Sequence, residues 1–143
     1  MAMTKQMNPY LLVAIPPPAL VVLERALGSY VGLAPVHTFK RAIERLDQNG
    51  NIAIVVCGVF FDGYRMFELL HAVKRTRPGL PFICCRILAR ELPETVESLK
   101  IAVESLGSSF IDLPVLEEQY GAGAADSELR ALVLAELGKE SRT

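Results

Sequence analysis

Short apolar runs alternating with helix-spaced segments leave this chain few folds to choose from. Tyr10 to Ile15 is apolar without interruption, the pattern of a strand buried on both faces. Further runs follow at Ala34 to Thr38, Ile52 to Cys57, Pro81 to Ile87 and Phe110 to Leu113, the third dominated by β-branched residues. Between them, apolar residues recur at helical spacing. Leu20, Leu23, Leu27 and Tyr30 follow Pro16, Pro17 and Pro18, which are tolerated only at a helix start. Thr38 can cap a helix burying Phe39, Ala42, Ile43 and Leu46, with Asn49-Gly50 as its stop. Met66, Phe67, Leu70 and Val73 form the next face, closed by Pro78-Gly79. Pro93 sits in the first turn of a helix with Val96, Leu99, Val103 and Leu106 inward, ending at Gly107. After "GAGAAD", Asp126 or Ser127 can cap a last helix burying Leu129, Leu132, Val133 and Leu137.

Strand–helix alternation of this kind predicts an α/β, doubly wound, five-stranded parallel sheet with five helices on its two faces. Right-handed crossovers then favour the flavodoxin-like order 2-1-3-4-5. A site in such a sheet lies where the order reverses, at the carboxyl ends of strands 1 and 3. Those ends are Ile15-Pro16 and Cys57.

A length of 143 residues suits one domain. We expect a disordered segment over 1–8, the domain over 9–138 and a tail over 139–143. With 15 basic against 16 acidic residues, scattered along the chain, there is no electrostatic reason to expect nucleic acid. Lys74, Arg75 and Arg77 are the densest basic group and read as a solvated helix end. No stretch is long enough to span a membrane, and Met1 to Asn8 lacks a signal-peptide pattern, so the expected location is cytoplasmic. Three cysteines embedded in apolar strands, Cys57, Cys84 and Cys85, fit that compartment as free thiols.

"IAIVVC", a loop and "MFELLHAVKRTRPGLPFI" resemble the strand–loop–helix–strand stretch that carries the phosphoacceptor of response regulator receiver domains. "AIERL" is similar to their second helix, and "GSSFIDLP" to their fifth strand with its Lys-Pro. The resemblance covers roughly residues 9 to 138. It implies an acidic pair after strand 1 for Mg²⁺, a carboxylate after strand 3, a hydroxyl after strand 4 and a Lys after strand 5. Mg²⁺ needs oxygen ligands, and phosphoryl transfer needs that metal and a cation to neutralise charge. Each position departs from the pattern. The acidic pair falls at Ile15, Pro16 and Pro17, the phosphoacceptor at Cys57, the hydroxyl at Arg86 (Cys85 after a one-residue shift), and the Lys at Leu113. The resemblance is therefore to a degenerate pseudo-receiver, with no Mg²⁺ and no aspartyl phosphorylation expected. A retained Pro114 suggests a cis Leu113–Pro114 bond, as in the family.

No catalytic residue, cofactor or metal site is expected. Cys57 as a nucleophile would need a base, and only His37 and His71 exist. As a redox sensor it would need exposure and a lowered pKa. Cys84 and Cys85, adjacent on a strand, point to opposite faces, which argues against a disulfide or shared metal. Arg86 can pair with Asp62 or Asp112 to form an internal ion pair in the crevice. "GAGA" at 121–124 follows no strand in a phosphate-binding pattern. Leu132, Val133, Leu134 and Leu137 exceed one narrow apolar stripe, so the expected partner or homodimer surface is the face built by the fourth helix, fifth strand and last helix. The expected function is a regulatory module acting by protein–protein interaction. The alternatives are a thiol sensor centred on Cys57 and a small-ligand domain using the crevice near Pro16, Cys57 and Arg86.

Overall fold

A computed structural model describes residues 10–48, 50–88 and 93–141, without the side chains of 93–95 and 140–141. Strands β1 (Tyr10–Ala14), β2 (Gly32–Val36), β3 (Ile52–Gly58), β4 (Phe82–Arg86) and β5 (Ser109–Asp112) form one parallel sheet in the order β2-β1-β3-β4-β5. This is the flavodoxin-like order expected from the alternation. The central strand, β3, has no fully exposed residue and its last five are all buried, which explains its unbroken apolar run. A register shift between Tyr10 and Leu11 sets Ile52 opposite Tyr10 and Ile54 opposite Leu11, leaving Ala53 as the extra residue. Pro35 is compatible with β2 because that strand is an edge.

Helices α1 (Leu20–Leu27), α2 (Phe39–Gln48), α3 (Met66–Thr76), α4 (Pro93–Ser105), α5 (Leu113–Tyr120) and α6 (Ala124–Ser141) cover the sheet. Two cores result. Leu12, Val55, Cys57 and Cys84 face α2, α3 and Val103 of α4, with Phe61 and Leu70 completing that side. Leu11, Val13, Ile54, Val56 and Cys85 face Leu23 and Ala26 of α1 and Leu129 and Val133 of α6. Cys84 and Cys85 thus point to opposite faces, as strand alternation requires. The second core is closed by contacts between α1 and α6: Arg25 grips Asp126 with bonds of 2.7 and 3.1 Å, and Arg130 Nε donates to the Ala26 carbonyl at 3.1 Å.

The chain departs from expectation after β5. Helices number six among the described residues rather than five, because Leu113–Tyr120 is helical where a connection was expected. Asp112 caps it by accepting from the Val115 amide at 3.2 Å, and Pro114 stands in its first turn, where a missing N–H costs nothing. The Leu113–Pro114 bond is trans, not cis, since Pro114 starts a helix instead of bending a strand exit. Helix α6 begins at Ala124, so Asp126 lies inside its first turn and faces Arg25; the cap contact comes from Glu117, whose Oε2 accepts from the Ala125 amide at 2.9 Å. It also continues through 139–141, which were expected as tail. Strand β2 starts two residues early and stops before His37, freeing Thr38 to accept from the Arg41 amide as the expected cap of α2. The 1–8 segment and the Asn49 helix stop lie outside the described residues.

Candidate functional site

The reversal in strand order opens a crevice at the carboxyl ends of β1, β3 and β4. Ile15 leaves β1 fully buried and is tied to β2 by its amide on the Val36 carbonyl at 3.1 Å. Its own carbonyl lies 2.8 Å from His37 Nδ1. Pro16 to Ala19 then form a short 3-10 turn, closed by the Ala19 amide on the Pro16 carbonyl at 3.0 Å. Across from it, Gly58, Val59 and Phe60 leave β3, while Cys85, Ile87 and Leu88 belong to the end of β4. Together with Pro16, Pro18 and Ala19 these residues enclose a cavity of about 210 Å³. No described residue lining it carries a charge.

Cys57 pairs in register with Ala14 on one side and Cys84 on the other. Its side chain does not enter the crevice; it is fully buried in the core under α2 and α3, with Sγ donating weakly to the Gly58 carbonyl at 3.6 Å. Burial, with a lesser contribution from the neighbouring Cys84 and Cys85, pushes the Cys57 thiol well above its ordinary range. Burial alone pushes Cys84 up to about 12. Both effects are the reverse of what a reactive thiolate needs. His37 and His71 are exposed, on β2's exit and α3. We expect the three thiols to react with a maleimide at least about a thousandfold more slowly in the folded chain than in denaturant. A fast phase of one equivalent would restore the sensor reading.

Alkaline pH should reveal the same burial. The folded chain holds the Cys57 and Cys84 thiol protons more tightly than the unfolded chain, whose thiols ionise near ~8.5. Their contribution to stability is therefore complete below that pH and falls as pH rises from it toward about 12 for Cys84. The slope is about 1.4 kcal/mol per pH unit for each of these two thiols. Urea titrations at successive pH values measure it, and Cys84→Ala should flatten the curve.

Arg86 and Asp62, expected as a crevice pair, instead bond Asp112 and the Phe39 amide respectively. Arg86 stands opposite Asp112 in the sheet and bonds it, Nη1 to Oδ1, at 2.7 Å, with side chains only 10 and 19 % exposed. The strand register that aligns β4 with β5 makes this the nearer partner. The pair borders a separate groove of about 540 Å³ with Val96, Glu97, Pro114, Val115 and Glu118, away from the apolar crevice. Asp62, in the loop after β3, turns the other way and accepts from the Phe39 amide at 2.8 Å, adding to the cap of α2. Leu113 is buried in the α1–α6 core. Of the expected site positions, then, Pro16 and the flank of Ile15 reach the crevice, whereas Cys57, Arg86, Asp62 and Leu113 do not line it.

The expected apolar face on the last helix is also divided. Val133 is fully buried in the core. Leu132 is half-buried and lines a shallow concavity with Phe110, Ile111, Val115 and Leu116, beside β5 and α5. Leu134 is 44 % exposed and, with Leu137, lies on the other flank beside Tyr30 and Val31. The unpredicted α5 absorbs part of the excess that the sequence suggested was free. Nothing in the chemistry of Gly58, Ile87 and Leu88 marks them as site residues; their only sequence signal is their place at the ends of the apolar runs of β3 and β4.

Comparison with solved structures places the fold among response regulator receiver domains. A receiver domain from Clostridium thermocellum superposes with a TM-score of 0.71 at 11 % identity, covering 93 % of this chain and 97 % of its own. The signal receiver domain of an HD domain-containing protein from Pseudomonas fluorescens gives 0.69 at 15 %, covering 95 and 99 %. A CheY-like receiver domain protein from Methanospirillum hungatei gives 0.64 at 16 %, again covering 95 and 99 %. No protein-family model and no curated protein matches the chain. At these identities the likeness concerns the fold. No described helix is long and apolar enough to cross a membrane.

Proposed function

We propose that this chain is a receiver-like regulatory module that is not switched by aspartyl phosphorylation and acts through protein–protein contact. One observation carries the reading: the crevice at the strand-order reversal, where receiver chemistry would sit, is lined among the described residues by apolar side chains and one thiol, with no charged side chain. A hard divalent cation requires several oxygen donors. The described lining residues, Pro16, Pro18, Ala19, Gly58, Val59, Phe60, Cys85, Ile87 and Leu88, bring no carboxylate, hydroxyl or ammonium. The nearby acids hold other partners, Asp62 the amide of Phe39 and Asp112 the guanidinium of Arg86. These residues do not fit Mg²⁺.

Contact with a protein partner or a second copy is assigned to the side of the sheet where β5 is the open edge, between α4 and α6. Three features support this choice: the edge position of β5, the concavity holding Phe110, Val115, Leu116 and Leu132, and the groove over the Arg86–Asp112 pair. A thiol sensor at Cys57 loses support because the sulfur is buried and its pKa raised.

Mg²⁺ with beryllofluoride, which mimics a bound phosphoryl group, provides the test. A ligand held by the folded state at about 100 times its Kd adds about 2.7 kcal/mol to stability. We expect no rise in melting temperature with the two together over either alone. A rise that requires both would overturn the proposal.

A further inference from the structure

We infer that the crevice at the ends of β1, β3 and β4 binds a neutral, apolar small molecule of one or two fused rings. This rests on the reading that no phosphoryl chemistry takes place there. Its volume, about 210 Å³, exceeds the ~150 Å³ that suffices for benzene in an apolar protein cavity. Its walls come from the ends of three neighbouring strands and a turn of three prolines, so the shape is set by the sheet rather than by ligand.

Gly58 is the position that keeps the space open. It is the last residue of β3, and a Cβ placed there would point at Pro16 Cδ, Ile15 Cγ2 and Ile87 Cδ1 at 3.4, 3.5 and 3.6 Å. Those are ordinary contact distances, and the residue has no left-handed φ that would require glycine. A side chain would fit the backbone; its absence leaves room for a ligand.

Among the described residues the wall also offers no charged group to a charged ligand. No described lining residue is charged, and Pro16 and Pro18 have no N–H to offer. The Ala19 amide is used by the Pro16 carbonyl, and the Val59 amide by the Cys85 carbonyl at 3.2 Å. An ion entering the crevice would lose hydration without meeting a charged side chain of the described residues, whereas an apolar ring gains by leaving water.

Indole and benzoate, an apolar and a charged probe of similar size, separate the possibilities in a titration of the ¹⁵N-labelled full chain followed by amide spectra. Indole should produce saturable shifts centred on Gly58, Val59, Ile87 and Leu88, with a dissociation constant on the order of a millimolar or tighter. Benzoate at equal concentration should leave those amides in place. Gly58→Val, which fills the floor, and Leu88→Trp, which blocks the rim, should each weaken indole at least about tenfold. Scattered or absent indole shifts would overturn the inference, as would benzoate binding equally well. Wild-type affinity in whichever variant keeps a folded spectrum would do the same. Failure of indole to bind, with beryllofluoride also inert, removes this inference alone; a beryllofluoride response removes the reading beneath it.

Discussion

Phe61→Ala is expected to lower the free energy of unfolding by about 3–5 kcal/mol, the largest loss of any single truncation considered. Phe61 belongs to no helix or strand, yet its side chain is fully buried against the α2–α3 core. Its amide donates to the Gly58 carbonyl at 3.1 Å, and its carbonyl accepts from the Arg65 amide at 2.9 Å, so it pins both ends of a tight turn. The three residues after it, Asp62, Gly63 and Tyr64, all have positive φ, at 46, 61 and 71°. Left-handed backbone at Asp and especially Tyr is unfavourable and persists only where surroundings enforce it. Phe61 does so from the core, and the bond from Asp62 to the Phe39 amide does so from α2. Loss of the ring should therefore remove its burial and also loosen the α2 cap. Urea denaturation measures the change, and a loss below about 1 kcal/mol would mean that the turn holds itself.

Arg86→Met should cost about 3 kcal/mol, because it leaves Asp112 poorly solvated without its guanidinium. Asp112→Asn should cost less: an amide oxygen can still accept from Val115 and cap α5. Combining the two should recover much of the loss, since a neutral pair leaves no stranded charge. A double-mutant cycle reads the coupling directly, expected at about 2 kcal/mol in favour of the native pair. Strict additivity would show that the 2.7 Å contact contributes only geometry. The pair joins β4 to the edge strand β5 and to the first turn of α5, so it holds the proposed contact face in one arrangement.

Where apolar periodicity was strong, the sequence alone predicted the architecture. Ile52 to Cys57 reads as a central strand because only a strand buried on both faces tolerates such a run, and β3 occupies the middle of the sheet. Cys84 and Cys85 were separable by alternation alone. Helix α5 escaped because "LPVLEEQY" is short and the neighbouring "GAGA" looked like continuous loop. Its signals were nonetheless present: an Asp cap, a proline two residues later and Gly121 at the end.

Side-chain direction at strand ends was the harder problem. Whether Cys57 faces the crevice or the core depends on the pleat and on the extra residue at Ala53, neither of which composition reveals. Arg86 had two acids within plausible reach by sequence; the register between β4 and β5 decided for Asp112. The positions that wall the cavity, Gly58, Ile87 and Leu88, carry no chemical signature of their own. Only the crossing of three strand ends gives them a common place.

Intact-mass measurement after incubation with Mg²⁺ and a small phosphodonor such as acetyl phosphate addresses the central claim most directly. The folded chain should emerge with its mass unchanged, and Cys57→Asp should behave likewise, because the lone carboxylate would have no metal-holding acids beside it. Gain of one acid-stable, base-labile phosphoryl group by the unaltered chain would contradict it.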